Sequence, residues 1–366
     1  MAIVNLCNRE KKMKHDIRIS KIGKGLAVAA AALMLAGTAA QARDLTIVSF
    51  GGTFQDAQRE LFFTPFAESL GKVVLDEAWE GGYGVLQAKV KAGQPNWDVV
   101  QVEAEELALG CADGIYEKLD WEKLGGQDSY IPGGASDCGA GHIVWSVAIA
   151  YDGNKLTDQQ PQSWADFWDV EKFPGKRGLR KSAKYSMEAA LMADGVPPTE
   201  VYDVLSTPEG VDRAFAKLDE LRPNLVWWEA GAQPLSMLQT GDVVMSSVYN
   251  GRITGLNRTE GTNLKLVWGQ SIYAVDSWVI LAGAENKDAG QDFIAFANSP
   301  ENLSKLPAQI AYGLPVKAAA EMVDAKFAPD LPTYADNLAV SLSLDVDYWV
   351  DNSEELTERF NAWVAQ

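Results

Sequence analysis

From Asp44 through the segment after Glu103, strand and helix alternate three times, and that alternation limits the fold class more than any other feature of the chain. "DLTIVSF" (44–50) reads as a strand ending at Gly51-Gly52, with a helix over Phe54–Ala67 behind it. "KVVLDEAW" (72–79) is a second strand, followed by a helix from Tyr83 to Ala92. "WDVVQV" (97–102) is a third, with another helix from Glu103. Short β-branched runs spaced by amphipathic helices indicate an α/β protein whose mainly parallel sheet is covered on both faces. In such sheets ligands sit outside the carboxyl ends of the strands. Phe50–Phe54, Glu80–Tyr83 and Glu103 are therefore expected beside a site.

"HIVWSVAIAYD" (142–152) is a long apolar strand suited to crossing between two lobes. Beyond it the spacing predicts helices near 163–170, 185–194, 208–221 and 233–240, with strands at 225–229, 243–248 and 264–268. "SWVILAG" (277–283) reads as the return crossing, and the remainder to Gln366 as helical and packed on the first lobe. Two crossings predict a discontinuous first lobe (43–149 plus 279–366), a second lobe (150–278) and a hinge that closes them around a ligand. The chain after residue 42 is longer than one core usually encloses, and it contains no repeats, low-complexity tracts or Pro/Ser linkers.

The N-terminus reads as a secretory signal. Lys14, Arg18, Lys21 and Lys24 precede an unbroken small-apolar run from Gly25 to Ala40, and Ala40-Gln41-Ala42 suits cleavage after Ala42. The run is short for a membrane span, and Cys7 lies upstream of it, so a lipid anchor there is not expected. Met13 is an alternative start. The expected location is the periplasm. Removing residues 1–42 takes seven Lys/Arg and two Asp/Glu from the chain's 32 and 50, leaving a net charge of −23. That charge repels nucleic acid and draws cations. Cys111 and Cys138 remain, an even pair in an oxidising compartment, and read as a disulfide. Closing that loop stabilises by about 3–4 kcal/mol in the chain-entropy view.

Catalytic and metal motifs are missing. After residue 42 the chain holds one histidine, His142, beside an apolar strand, where it reads as a packed residue. There is no Gly-x-Ser-x-Gly, phosphate-binding loop, His-Glu-x-x-His or cysteine/histidine cluster. Gly51-Gly52 lacks the third glycine of a dinucleotide fingerprint, and no adjacent tyrosine pair suggests ferric iron. The expectation is a binder without catalytic activity, cofactor or metal. An exported hydrolase using paired carboxylates is the rival from another class, and a chemoreceptor adaptor is a third reading.

"PQSWADFWDVEKFPGKRGLRKS" (161–182) resembles a signature of bacterial solute-binding proteins of the spermidine/putrescine type, the extracytoplasmic receptors of ATP-binding-cassette (ABC) importers. The likeness continues through "LTIVSFGGTFQDAQ", "WDVVQVE", "DCGAGHIVWSVAIAYD", "MLQTGDVVMSSVYNGR", "YAVDSWVI" and "NSPENLSKLPAQIAYGLPVKAA". The resemblance implies a two-lobe periplasmic-binding-protein fold with a hinge, a small amine-bearing ligand such as a polyamine, and ABC permease subunits as partners. A monomer is expected. Amine ligands in this family are held by aromatic walls and carboxylates, as cation–π attraction and charge-assisted hydrogen bonds require. By position Asp276 matches the amine-binding aspartate, Tyr249 a wall aromatic and Tyr312 a later cleft tyrosine. Phe50, Gly52, Thr53 and Phe54 match the first cleft loop, where the family's polyamine binders carry Trp or Tyr. Tyr185 and Glu103 are further matches, and Tyr83 and Asn250 complete the candidate set. Trp227 and Trp228 are adjacent in a strand and point to opposite faces, one to core and one to cleft; the set takes Trp228. The other tryptophans, Trp164 and Trp168 among them, read as core.

One position departs from the polyamine pattern. After the wall aromatic comes an Asn-Gly pair, read as a turn, and then Arg252 where an acid is expected. Arg252 is open to three readings: a structural salt bridge, a surface cation or a clamp on a ligand carboxylate. A clamp would repel a diamine but, together with Asp276, would suit a zwitterion with separated charges such as 4-aminobutyrate.

Overall fold

The computed structural model describes residues 43–366; the expected signal peptide lies outside them. β1 (Leu45–Ser49) is buried along its whole length and pairs in parallel with β2 (Val74–Ala78) and β3 (Val99–Val102). β3 runs antiparallel to the end of β9 (Leu264–Ile280), and β9 antiparallel along β5 (Gly139–Asp152). β5 pairs with β8 (Met245–Tyr249), which continues in parallel into β6 (Arg177–Arg180) and β7 (Leu225–Trp228). The order is β2-β1-β3-β9-β5-β8-β6-β7, with the two-residue strands β4 (Ala135–Ser136) on β5 and β10 (Leu342–Ser343) on β9. Two groups of parallel strands thus flank one long antiparallel pair. β5 is buried at every residue except Asp152, which is why its sequence reads as a continuous apolar run instead of alternating.

The helices behind β1 and β2 lie close to their expected places. The first runs from Gly52 to Leu70, but a π-helical turn at Arg59–Phe63 interrupts it and packs Phe62 and Phe63 against His142, Trp278 and Phe293. His142 is fully buried, with Nδ1 paired to Asn298 Oδ1 at 2.9 Å, and burial lowers its pKa to about 4. It is a neutral packed residue. Cys111 and Cys138 are disulfide-bonded, with Cα atoms 6.0 Å apart.

Three expectations are corrected. Residues 264–268 and 277–283 belong largely to one strand, β9, because the polar "GQS" between them bulges without breaking the pairing. The β5–β9 register slips between Val147 and Ile149, opposite Gln270, which sits at φ 63. The indole Nε1 of Trp164 donates to the Gln270 carbonyl at 2.9 Å, and the Gln270 amide donates to the Val340 carbonyl at 2.9 Å. A bulge of this kind bends a strand and keeps it in the sheet. Next, β6 was not anticipated. "RGLR" has one apolar side chain, yet it lies between β8 and β7 inside the sheet. Last, the C-terminal helix Val346–Val364 does not pack on the first lobe alone: it lies against the helix Ala104–Ala112 of that lobe and also against elements of the predicted second lobe. Its Trp349 and Trp363 donate to Glu188 and Asp219, and Phe360 and Trp363 meet Trp227 edge-on. An apolar stripe of Trp349, Leu356, Phe360 and Trp363 at helical spacing demands that cover.

Candidate ligand-binding site

Each strand of the two parallel groups, β1–β3 and β6–β8, points its carboxyl end at one cavity of about 380 Å³. Phe50 follows β1, Trp79 and Glu80 follow β2, and Glu103 follows β3. From the other group come Arg180 at the end of β6, Glu229 to Ala232 after β7, and Tyr249 at the end of β8. The strand-end rule therefore holds for both groups at once. Asp276 enters from β9, directly across from Ile143 of β5, and Trp145 lies two residues on, on the same face as Ile143.

Asp276 is buried and accepts a hydrogen bond from the Trp145 indole at 2.7 Å. Burial raises its pKa well above the ordinary carboxylate range, with the charge of Glu103 adding to the effect and the Trp145 bond opposing it. A carboxylate so enclosed, with no cation on it among the described residues, is stabilised by an incoming ammonium. Aromatic rings complete this end. Phe54 meets Tyr312 edge-on at 5.3 Å, and Trp145 meets Tyr249 edge-on at 5.3 Å. Burial pushes the Tyr312 hydroxyl up to about 12, so it stays protonated as a donor.

Arg252 lines the same cavity. It is exposed and makes no ion pair or hydrogen bond with protein among the described residues, which leaves the structural salt bridge without support. The Asn250-Gly251 pair before it is not a turn. It opens the helix Asn250–Glu260, packed so closely that a Cβ on Gly251 would stand 2.5 Å from the Tyr312 ring. Arg252 thereby sits in a first helical turn, held beside Tyr249 and Tyr312.

Of the expected residues, Phe50, Gly52, Phe54, Glu103, Tyr249, Arg252, Asp276 and Tyr312 line this cavity. The others stand elsewhere. Asn250 is fully buried, takes the Ser146 amide at 2.9 Å and donates to the Ala311 carbonyl at 2.6 Å, so it ties β8 to its neighbours. Trp228 is 1% exposed, donates to Ser247 Oγ and backs Tyr249 from the core. The Tyr83 hydroxyl donates to Asp113, away from the cavity. Thr53 faces a neighbouring cavity of about 490 Å³ beyond Arg252, which shares Arg252 but neither Asp276 nor the aromatic rings. Tyr185 lies behind Trp145, edge-on at 5.7 Å.

Sequence reasoning missed Trp145, Trp79, Arg180 and Lys184. Trp145 had a readable signal, since a residue two along from Ile143 shares its face once the strand is known. Arg180 and Lys184 had none, because β6 was not seen. Lys184 pairs with Glu105 at 2.5 Å and with Glu103, a cavity residue, at 3.7 Å. Burial works against its charge, but the two glutamates outweigh that and its pKa rises.

Comparison with known proteins agrees with this architecture. The family model for bacterial extracellular solute-binding proteins matches residues 71–333. A gamma-aminobutyric acid-binding protein of Pseudomonas aeruginosa is 47% identical over 342 residues, covering 93% of this chain and 95% of the relative. The spermidine/putrescine-binding periplasmic protein of Escherichia coli is 25% identical, covering 84% and 89%. The solved structure of a GABA receptor superposes with a TM-score of 0.79 at 35% identity, over 88% of this chain and 98% of that one. The strand-end cavity, the mixed, mostly parallel sheet and these likenesses together make the chain a member of the bacterial extracellular solute-binding protein family.

Proposed function

We propose that the protein is the periplasmic receptor of an ABC importer for a small ω-amino acid such as 4-aminobutyrate, with the ammonium on Asp276 and the carboxylate on Arg252. The observation that carries this reading is the presence of opposite charges without ionic partners in one cavity: a buried carboxylate and an arginine with no protein partner among the described residues. A diamine would bring its second ammonium against Arg252, which disfavours the polyamine reading although distant relatives bind polyamines. The 47% identity to a gamma-aminobutyric acid-binding protein supports the zwitterion. Residues 43–149 plus 279–345 and residues 150–278 act as two lobes that close on the ligand, bending where Gln270 bulges β9, with the C-terminal helix Val346–Val364 in contact with both. The closed monomer then docks on the permease.

The test is calorimetric titration of protein unfolded and refolded to free it of ligand, with 4-aminobutyrate and putrescine in parallel. Tight binding of 4-aminobutyrate alone is expected. Tight binding of putrescine alone would remove Arg252 from the ligand contacts and restore the polyamine reading.

A further inference from the structure

The edge of the sheet far from the long antiparallel pair is open and apolar. β2 stands first in the strand order and, among the described residues, has β1 as its one neighbour. Its other side is a row of unpaired amides and carbonyls, which sheets normally blunt with charge, proline or a covering element. Here the side chains do the reverse. Val73, just before the strand, is 57% exposed and Leu75 is 48% exposed, both on one face. Leu70, at the end of the preceding helix, is exposed as well.

The backbone fixes how a partner strand would lie. The Trp79 amide donates inward to the Ser49 carbonyl at 3.0 Å. Backbone groups alternate along a strand, so those of Lys72, Val74 and Asp76 point outward. An antiparallel partner meets outward groups with outward groups. Centred on Val74, a second copy of the strand sets Lys72 against Asp76 twice over and Val73 against Leu75 on the apolar face. Centred on Leu75 it would set Val73 against Glu77, and centred on Asp76 two carboxylates against each other. The segment is thus complementary to itself, in charge and in apolar surface, in one register. Arg59 holds Asp76 beside the edge at 2.6 Å and keeps its pKa below the usual range, so the carboxylate stays charged.

We propose that β2 is a self-association edge, on which two copies of the chain pair antiparallel about a two-fold axis at Val74. A cavity of about 460 Å³ on the helix side, lined by Phe63, Ala67, Lys72, Val74 and Asp76 among others, leaves room for the Lys72 side chain of the second copy. About five paired residues a side bury less than the roughly 1,200 Å² of a stable interface, so the association is weak and concentration-dependent. Antiparallel pairing points the carboxyl ends of the two parallel groups β1–β3, and so the two ligand cavities, in opposite directions. Such a dimer cannot turn both mouths to one membrane, so it is a reservoir from which monomers are drawn for docking.

The test is sedimentation velocity of the mature, ligand-freed protein over a concentration series. Physiological salt screens the repulsion between two acidic chains beyond about 8 Å but not between facing side chains. A reversible monomer–dimer equilibrium is expected. Val73→Lys and Lys72→Glu, both at exposed positions, should each raise its dissociation constant about 5–30-fold with the melting temperature unchanged. Cross-linking reads the register. Val73 and Leu75 face each other as a non-hydrogen-bonded pair, with Cα atoms about 4.5 Å apart, within disulfide reach. A mixture of Val73→Cys and Leu75→Cys should therefore cross-link under mild oxidation and either variant alone should not; Cys111 and Cys138 are already joined. Monomer at every concentration overturns the proposal, as does a dimer indifferent to either charged substitution. Cross-linking by one cysteine variant alone as readily as by the mixture overturns it too. None of these outcomes depends on which ligand the cavity takes.

Discussion

β6 carries an arginine at each end, and the two ends have opposite chemistry. Arg177 is fully buried and spends its guanidinium on four carbonyls: Phe167 at 2.7 Å, Gly175 at 2.9 Å, Asp169 at 3.1 Å and Phe173 at 2.6 Å. Burial lowers its pKa to about 10, still far above neutrality. Arg180, three residues on, points to the cavity with an enclosed nitrogen that meets nothing. One residue type in one short strand thus does two kinds of work. Where the protein supplies every acceptor, the cation stabilises the fold; where it supplies none, the cation stays unpartnered.

The strongest way to break this contrast is Arg177→Met. Four carbonyls would lose their donor, and stability should fall by about 3–5 kcal/mol, the range for removing one partner of a buried charged network. Urea denaturation measures it, and a loss under about 1 kcal/mol would erase the distinction between the two ends.

Asp276→Asn tests the amine end. Affinity for 4-aminobutyrate should fall about 100-fold, the upper part of the range for a charged hydrogen bond, as titration calorimetry would record. The ligand-free variant should be more stable than wild type at neutral pH. The folded pKa of Asp276 lies above its unfolded value, so its stabilising share is complete below about 3.9 and is lost as pH rises through the folded value. Wild-type minus variant stability should therefore improve on acidification, while ligand affinity weakens as Asp276 takes up a proton. Affinity independent of pH across that window would place the ammonium elsewhere.

Arg252→Ala should cost about tenfold in affinity with an unchanged ligand-free melting temperature, since an exposed arginine on a carboxylate contributes less than an enclosed one. A fall in melting temperature would return Arg252 to the structural reading. Lys184→Ala is expected to have the smallest effect. Its ion pairs with Glu103 and Glu105 join residues of the two expected lobes, and losing them should speed ligand release by about 2–5-fold, an effect that salt reduces. Stopped-flow displacement reads that rate, and an unchanged rate at low salt would show that the contact does not hold the cavity shut.

These residues also mark what was legible. The β1–β3 region reads correctly because alternating β-branched runs and helices are local signals, and each strand announces its own end. Asp276 and the aromatic wall came from resemblance, which carries positions but not contacts. β6 was hidden because its ends are polar, with the Arg177 side chain satisfied by carbonyls of the preceding Phe167–Gly175 segment, and the bulge at Gln270 because its backbone groups are satisfied from far away in sequence, by Trp164 and Val340.

By itself, then, the amino-acid sequence determined the class of sheet and the disulfide pair and pointed to the strand ends as the place of a site, while family resemblance supplied the buried acid. Only the tertiary structure decided which charges have partners. Periodicity reports how a segment meets its immediate surroundings, whereas the pairing of a charge depends on which distant backbone groups the strand register brings within 3 Å or so of it. Arg177, Arg180 and Arg252 are the same letter in the sequence, and the fold makes one a structural brace, one an enclosed free donor and one an open rim.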